Sequence, residues 1–79
     1  MITRSSDISE CVKRSLDRYF RDLDGEQASD VYGMVLSQVE RPMLEVVMRQ
    51  VNGNQTLAAQ LLGINRNTLR RKLNAYDLL

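Results

Sequence analysis

The chain has 79 residues, 43% hydrophobic and 27% charged, with one cysteine, no histidine, no tryptophan and a net charge of +1. That length allows one domain and leaves a monomer short of buried surface, which favours self-association. The lone Cys11 excludes a disulfide scaffold, the lack of His excludes a zinc site within one chain, and no apolar run approaches the ~18 residues of a membrane span.

Residues 1–7 are polar and read as a loose tail. Residues 1–10 lack a basic start followed by an apolar stretch, so the reading is a cytoplasmic protein without a signal peptide. Asp7 and Glu10 have capping-box spacing. Ile8, Val12, Leu16, Tyr19 or Phe20, and Leu23 then recur at steps of three and four, which predicts a helix over about 8–23. Asp24-Gly25 stops it. Ser29 or Asp30 is placed to cap the next helix.

Val31, Val35, Val39, Leu44, Val47 and Val51 carry a second apolar stripe, widened by Met34, Leu36, Met43, Val46 and Met48. A helix apolar over so much of its circumference needs more partner surface than one short chain supplies. Residues 30–51 are therefore expected to form a dimer core, with Val35, Val39, Pro42, Met43 and Val47 at the interface. The periodicity runs through Pro42, so one kinked helix is expected, with a break at Arg41 as the alternative. Asn52-Gly53 ends it.

Asn54 caps a short helix, Gly63-Ile64-Asn65 makes a tight turn, and Asn65 caps a last helix from Arg66 to about Ala75. These spacings fit a helix-turn-helix over residues 54–76. Its first helix needs a small residue where the second packs close, and Ala59 supplies it. Its turn needs left-handed backbone, which suits Gly63. Its second helix needs an apolar anchor facing back, and Leu69 provides it, with Ile64, Leu73 and Tyr76 on the same side.

Charge is concentrated on that motif. Residues 1–52 hold seven basic and nine acidic side chains, whereas residues 53–79 hold Arg66, Arg70, Arg71 and Lys72 against Asp77 alone. A bare basic run usually marks a solvated face. Set on the outward side of a helix-turn-helix, it points to double-stranded DNA. Asn65 and Arg66 fall nearest the base edges, Arg70 reaches bases or backbone, and Lys72 suits a phosphate. Asn54 and Thr56 stand at the start of the first short helix, where backbone amides favour a phosphate; plain capping is the bland reading for Asn54. Cys11 reads as a small core residue and the methionines as core filler. Asp22, Asp24 and Glu26 read as a solvated turn. No catalytic set, metal set or cofactor cradle can be assembled, so an enzyme is not expected.

Gly53-Asn54-Gln55-Thr56, Ala58-Ala59, Leu62-Gly63-Ile64-Asn65-Arg66 and Thr68-Leu69-Arg70-Arg71-Lys72-Leu73 closely resemble the C-terminal motif of the Fis family. Val12-Lys13, Leu16, Tyr19-Phe20, Leu23, Gly25, Val39-Glu40, Pro42, Leu44 and Val47-Met48 extend the resemblance over about residues 8–79. It implies an all-α fold of four helices, with an intertwined homodimer core (8–51) and a C-terminal helix-turn-helix (54–76) in one Fis-like domain. It implies a bacterial, nucleoid-associated transcriptional regulator without cofactor or metal. The two recognition helices of such a dimer lie closer than one DNA turn, so the DNA must bend, which favours degenerate sites with A/T-rich centres. Asn65, Arg66 and Arg70 match positions that approach bases. Asn54, Thr56, Thr68 and Arg71 match backbone-contacting positions, and Lys72 matches a basic position. RNA polymerase is an implied further partner.

Two departures qualify the resemblance. Asn52 and Asn74-Ala75 replace basic residues of long enteric relatives, which implies weaker bending and a shallower salt dependence. Seven residues before the first helix are too few for the hairpin arm that touches DNA invertases, so stimulation of inversion is not expected. The alternative is the C-terminal DNA-binding and dimerisation module of an NtrC-type enhancer-binding activator. A protein–protein module with an incidental basic helix is a second class.

Overall fold

A computed structural model describes residues 3–79. They form α1 (Thr3–Leu23), α2 (Val31–Gln50), α3 (Gln55–Leu62) and α4 (Arg66–Ala75), with no strand among the described residues. The fold is all-α, as the sequence predicts. The chain divides into two compact units, one ending at Val31 and the other spanning Tyr32–Leu79.

In the first unit, helix begins five residues earlier than the apolar pattern suggests. Positions 1 and 2 of the expected tail lie outside the described residues, and from Thr3 the chain is helical. No Gly or Pro interrupts residues 3–8, and extending an existing helix costs little per residue, so the backbone continues past the last apolar position. Asp7 thus lies inside α1 and does not cap it; Glu10 instead pairs with Lys13 at 3.6 Å on the exposed surface. Val12, Leu16, Tyr19 and Leu23 are half-buried, while Ile8 and Phe20 are exposed. Cys11, expected in the core, is also exposed. It lies beside the apolar stripe rather than within it. Left-handed backbone at Asp24 (φ +51°) and Gly25 (φ +87°) ends the helix where Asp24-Gly25 predicts.

α2 runs unbroken through Pro42, so the break at Arg41 does not occur. Asp30 precedes α2 with φ +54°, outside the extended region that capping residues use. At the far end, Asn52 (φ +52°) and Gly53 (φ +82°) turn the chain, and the Gly53 N–H donates back to the Met48 carbonyl at 2.9 Å.

The core of the second unit joins three helices. Leu44 of α2, Ala58 and Ala59 of α3, and Leu69 and Leu73 of α4 are buried together. Val47, Met48, Val51, Leu62, Ile64, Tyr76 and Leu78 pack around them. The two alanines let α4 approach α3 closely. The stripe of α2 that serves this core is Leu44, Val47, Met48 and Val51, spaced three and four apart.

A second apolar stripe lies beside it on the same helix. Tyr32 (79% exposed), Leu36 (38%), Val39 (36%), Met43 (42%) and Val46 (50%) follow one another at steps of four, three, four and three. That is the spacing of a two-helix seam. Met43, read both as core filler and as an interface residue, is exposed and lies on this seam. Val47, expected at the dimer interface, belongs to the core stripe, and Val35 and Pro42 lie on the seam's other flank.

Candidate nucleic-acid interface

The helix-turn-helix is held by three local devices that the sequence predicts. Asn54 takes extended backbone (φ −76°, ψ 102°) and its Oδ1 accepts from the Leu57 N–H at 3.1 Å, capping α3. Gly63 closes α3 in the left-handed conformation (φ +76°), with its N–H donating to Ala59 and Gln60 carbonyls. Asn65 caps α4, its Oδ1 accepting from the Asn67 N–H at 2.7 Å. Each cap amide thus uses one lone pair of its oxygen internally and keeps its Nδ2 donors for outside partners.

With Leu69 and Leu73 fully buried, the opposite side of α4 is exposed. It presents Arg66, Asn67, Arg70, Arg71 and Asn74. None of its three arginines forms an ion pair among the described residues; two instead lean on the first turn of α3. Arg66 Nη1 donates to Thr56 Oγ1 at 3.4 Å, and Arg70 Nη1 donates to Gln55 Oε1 at 3.2 Å. These neutral acceptors orient the guanidinium groups without cancelling their charge. Asn54, Thr56, Asn65, Arg66 and Arg70 therefore gather on one side of the motif.

Thr68, Arg71 and Lys72 lie on a neighbouring flank of α4. With Glu40, Ala75 and Tyr76 they line an open cleft of about 300 Å³. Here the structure adds what the sequence reading missed. Lys72 Nζ donates to Glu40 Oε2 at 2.8 Å, and the Tyr76 hydroxyl donates to Glu40 Oε1 at 2.8 Å. Arg41 donates to the Tyr76 backbone carbonyl, holds Glu45 at 3.3 Å and lies 5.7 Å from the Tyr76 ring centroid. Lys72, expected to face a phosphate directly, thus also fastens α4 to α2.

Two hydrogen bonds, first from Lys72 and then from Tyr76, hold the Glu40 carboxyl below its ordinary 4.5; partial burial opposes them and is outweighed. The same carboxylate pushes the Tyr76 phenol above its ordinary 10.0, because an ionised phenol could not donate to it. Gln55, Glu40 and Tyr76 are the site residues that sequence reasoning passed over. Glu40 carried a usable signal: it sits one turn before buried Leu44, on the stripe facing the motif.

Residues 35–76, spanning most of α2 and all of the helix-turn-helix, match the family described as bacterial regulatory protein, Fis family. A Fis-like DNA-binding protein of Ralstonia nicotianae is 60% identical over 72 residues, covering 91% of this chain and 94% of the relative. The chain belongs to the Fis family. A Fis-like DNA-binding protein of Neisseria meningitidis is 53% identical, covering 92% of both chains. The DNA-binding protein Fis of Actinobacillus succinogenes is 55% identical over 90% of this chain and 72% of the relative. Fis-family membership makes this a bacterial DNA-binding regulatory protein. Among the described residues no helix is long and apolar enough to cross a membrane.

Proposed function

We propose that the protein is a DNA-bending homodimer that regulates transcription from the bacterial nucleoid, in the cytoplasm. The observation that carries this reading is the outward face of α4, where three arginines without acidic partners project beside the donor groups of Asn54 and Asn65. Arg66 and Asn65 read base edges, and Arg70 reaches bases or backbone. Asn54, Thr56, Thr68 and Arg71 bind phosphates. An arginine fork suits guanine O6 and N7 or a phosphate. The Nδ2 donors of Asn54 and Asn65 suit acceptor oxygens and ring nitrogens.

Self-association is supported by the seam of Tyr32, Leu36, Val39, Met43 and Val46, with Val35 and Pro42 beside it. A contiguous apolar stripe of this length is rarely left in water. The dimerisation segment is 8–51 and the DNA-binding segment 54–76. Two recognition helices set closer than one DNA turn force a bend, so A/T-rich, easily narrowed centres are preferred. RNA polymerase is the natural further partner of a bender placed near promoters.

Gel shift with wild type and Arg66→Ala, alongside sedimentation equilibrium, tests the reading. The expected result is a folded dimer in both cases, with specific binding lost in the variant. A wild type that fails to bind duplex DNA at low salt overturns it, as does a stable monomer at micromolar concentration. Affinity across duplexes that differ only in uncontacted central base pairs tests bending; equal affinity for all of them removes it.

A further inference from the structure

We propose that Glu40 sets the charge that α4 offers to DNA: by holding Lys72 in an ion pair, it withholds one cation per chain from the phosphate backbone. This rests on the DNA-binding reading above and goes beyond it, since the basic run by itself counts Lys72 with the arginines.

The contact is not a loose surface pair. The Lys72 and Glu40 side chains are only 36% and 20% exposed and meet at 2.8 Å. Glu40 is fixed at its other oxygen by the Tyr76 hydroxyl, and Tyr76 is in turn held at its carbonyl by Arg41. The carboxylate therefore has little freedom to swing aside when a phosphate approaches. Thr68 and Arg71 line the same cleft as the pair. A phosphate seated on those two residues meets Lys72 and Glu40 together, a +1 and a −1 in contact. The cleft then contributes Arg71 alone to counterion release. Gln55 and Thr56 orient their arginines with neutral oxygens, so Glu40 is the one carboxylate among the described residues that bonds to a basic side chain of α4.

Glu40→Gln preserves size and an acceptor for Tyr76 but removes the negative charge. Lys72 then counts toward phosphate neutralisation. The slope of log K against log salt is expected to steepen by about 0.9 per chain, about 1.8 for a dimer. Between 50 and 200 mM potassium chloride that is roughly 12-fold more loss of affinity than in wild type. The steepening should appear equally on a matching duplex and an unrelated one, because phosphate contacts are blind to sequence. Lys72→Gln alone leaves the Glu40 carboxylate uncompensated beside the phosphate and is expected to make the slope shallower, whereas the double variant, with neither charge, is expected to restore the wild-type slope.

A purely structural role for Glu40 would weaken binding at every salt concentration without steepening the slope. That result overturns the proposal, as does a double variant whose slope is shallower than that of wild type by about 1.8. Should Glu40→Gln fail to fold by circular dichroism, the charge-free pair Glu40→Met with Lys72→Met decides alone: a wild-type slope supports the proposal and one shallower by about 1.8 overturns it. Wild type that binds duplex while Glu40→Gln keeps its slope overturns only this inference; wild type that does not bind at all overturns the function as well.

Discussion

Asn65 is given two tasks, and they can be separated. Its Oδ1 accepts from the Asn67 N–H at 2.7 Å, which caps α4, while its Nδ2 remains free to donate to a base. The amide gives one lone pair of Oδ1 to the cap, which leaves its second lone pair and the Nδ2 hydrogens for a base edge. It can donate to an acceptor such as guanine O6 or N7, or thymine O4. Replacing Asn65 by Ala removes both tasks. Loss of a cap costs about 1 kcal/mol, and α4, a helix of ten residues, has little stability of its own to absorb it. Replacing it by Ser keeps a competent cap and removes the amide donor. One lost hydrogen bond to a base is worth about 1 kcal/mol per subunit, or roughly 30-fold in affinity for two copies. Thermal melts read the cap, and fluorescence anisotropy on specific and unrelated duplexes reads the base contact. Asn65→Ser is expected to melt like wild type, lose roughly 30-fold on the specific duplex and bind the unrelated one unchanged. Asn65→Ser with wild-type specific affinity would refute base reading by this residue. Asn65→Ala with an unchanged melt would refute the cap.

Gln55→Ala should lower DNA affinity several-fold at constant melting temperature, since it frees Arg70 without touching the core; anisotropy and a melt together check this. Gly63→Ala meets no atom within 4 Å but must hold φ +76°, so it should destabilise by about 1–2 kcal/mol in urea denaturation. Leu73→Ala, at a fully buried site, should cost about 2–5 kcal/mol in the same assay. Glu40, with its acidity increased by folding, contributes stability that is present above its unfolded value near 4.5 and lost as pH falls through the lower folded value. Stability measured against pH should therefore show an acid limb in wild type that is flatter in Glu40→Gln. Tyr76 acts in the opposite sense: its phenol is held protonated, so its contribution is full below 10.0 and fades as pH rises through the raised folded value.

Local chemistry was readable and long-range chemistry was not. Asn54, Gly63 and Asn65 each act within four residues of themselves, so residue type and spacing were enough to place both caps and the turn. Leu69 and Leu73 followed from helical period. The start of α1 was missed because a helix can outrun its apolar stripe when no breaker stops it. Cys11 was misplaced for a related reason, since proximity to Ile8 and Val12 in sequence is not burial on their face. Met43 and Val47 were assigned to one surface, yet the structure assigns them to adjacent stripes. A single apolar run contains no mark of where one face ends. The Glu40–Lys72 pair spans 32 positions, and no periodicity announces a contact across that distance.

α2 carries its seam and its core stripe on one continuous helix. The angle between them is therefore stored in the number of residues per turn, not in the identity of any side chain. Point substitutions along α2 can loosen either surface, but they leave its phase alone. A one-residue insertion between Val46 and Val51 would turn everything after it by about 100° and shift it by ~1.5 Å. In evolutionary terms, the separation of two reading heads in the proposed dimer is inherited as a length. Substitutions along the helix therefore leave that separation alone, and only a change in its length resets it.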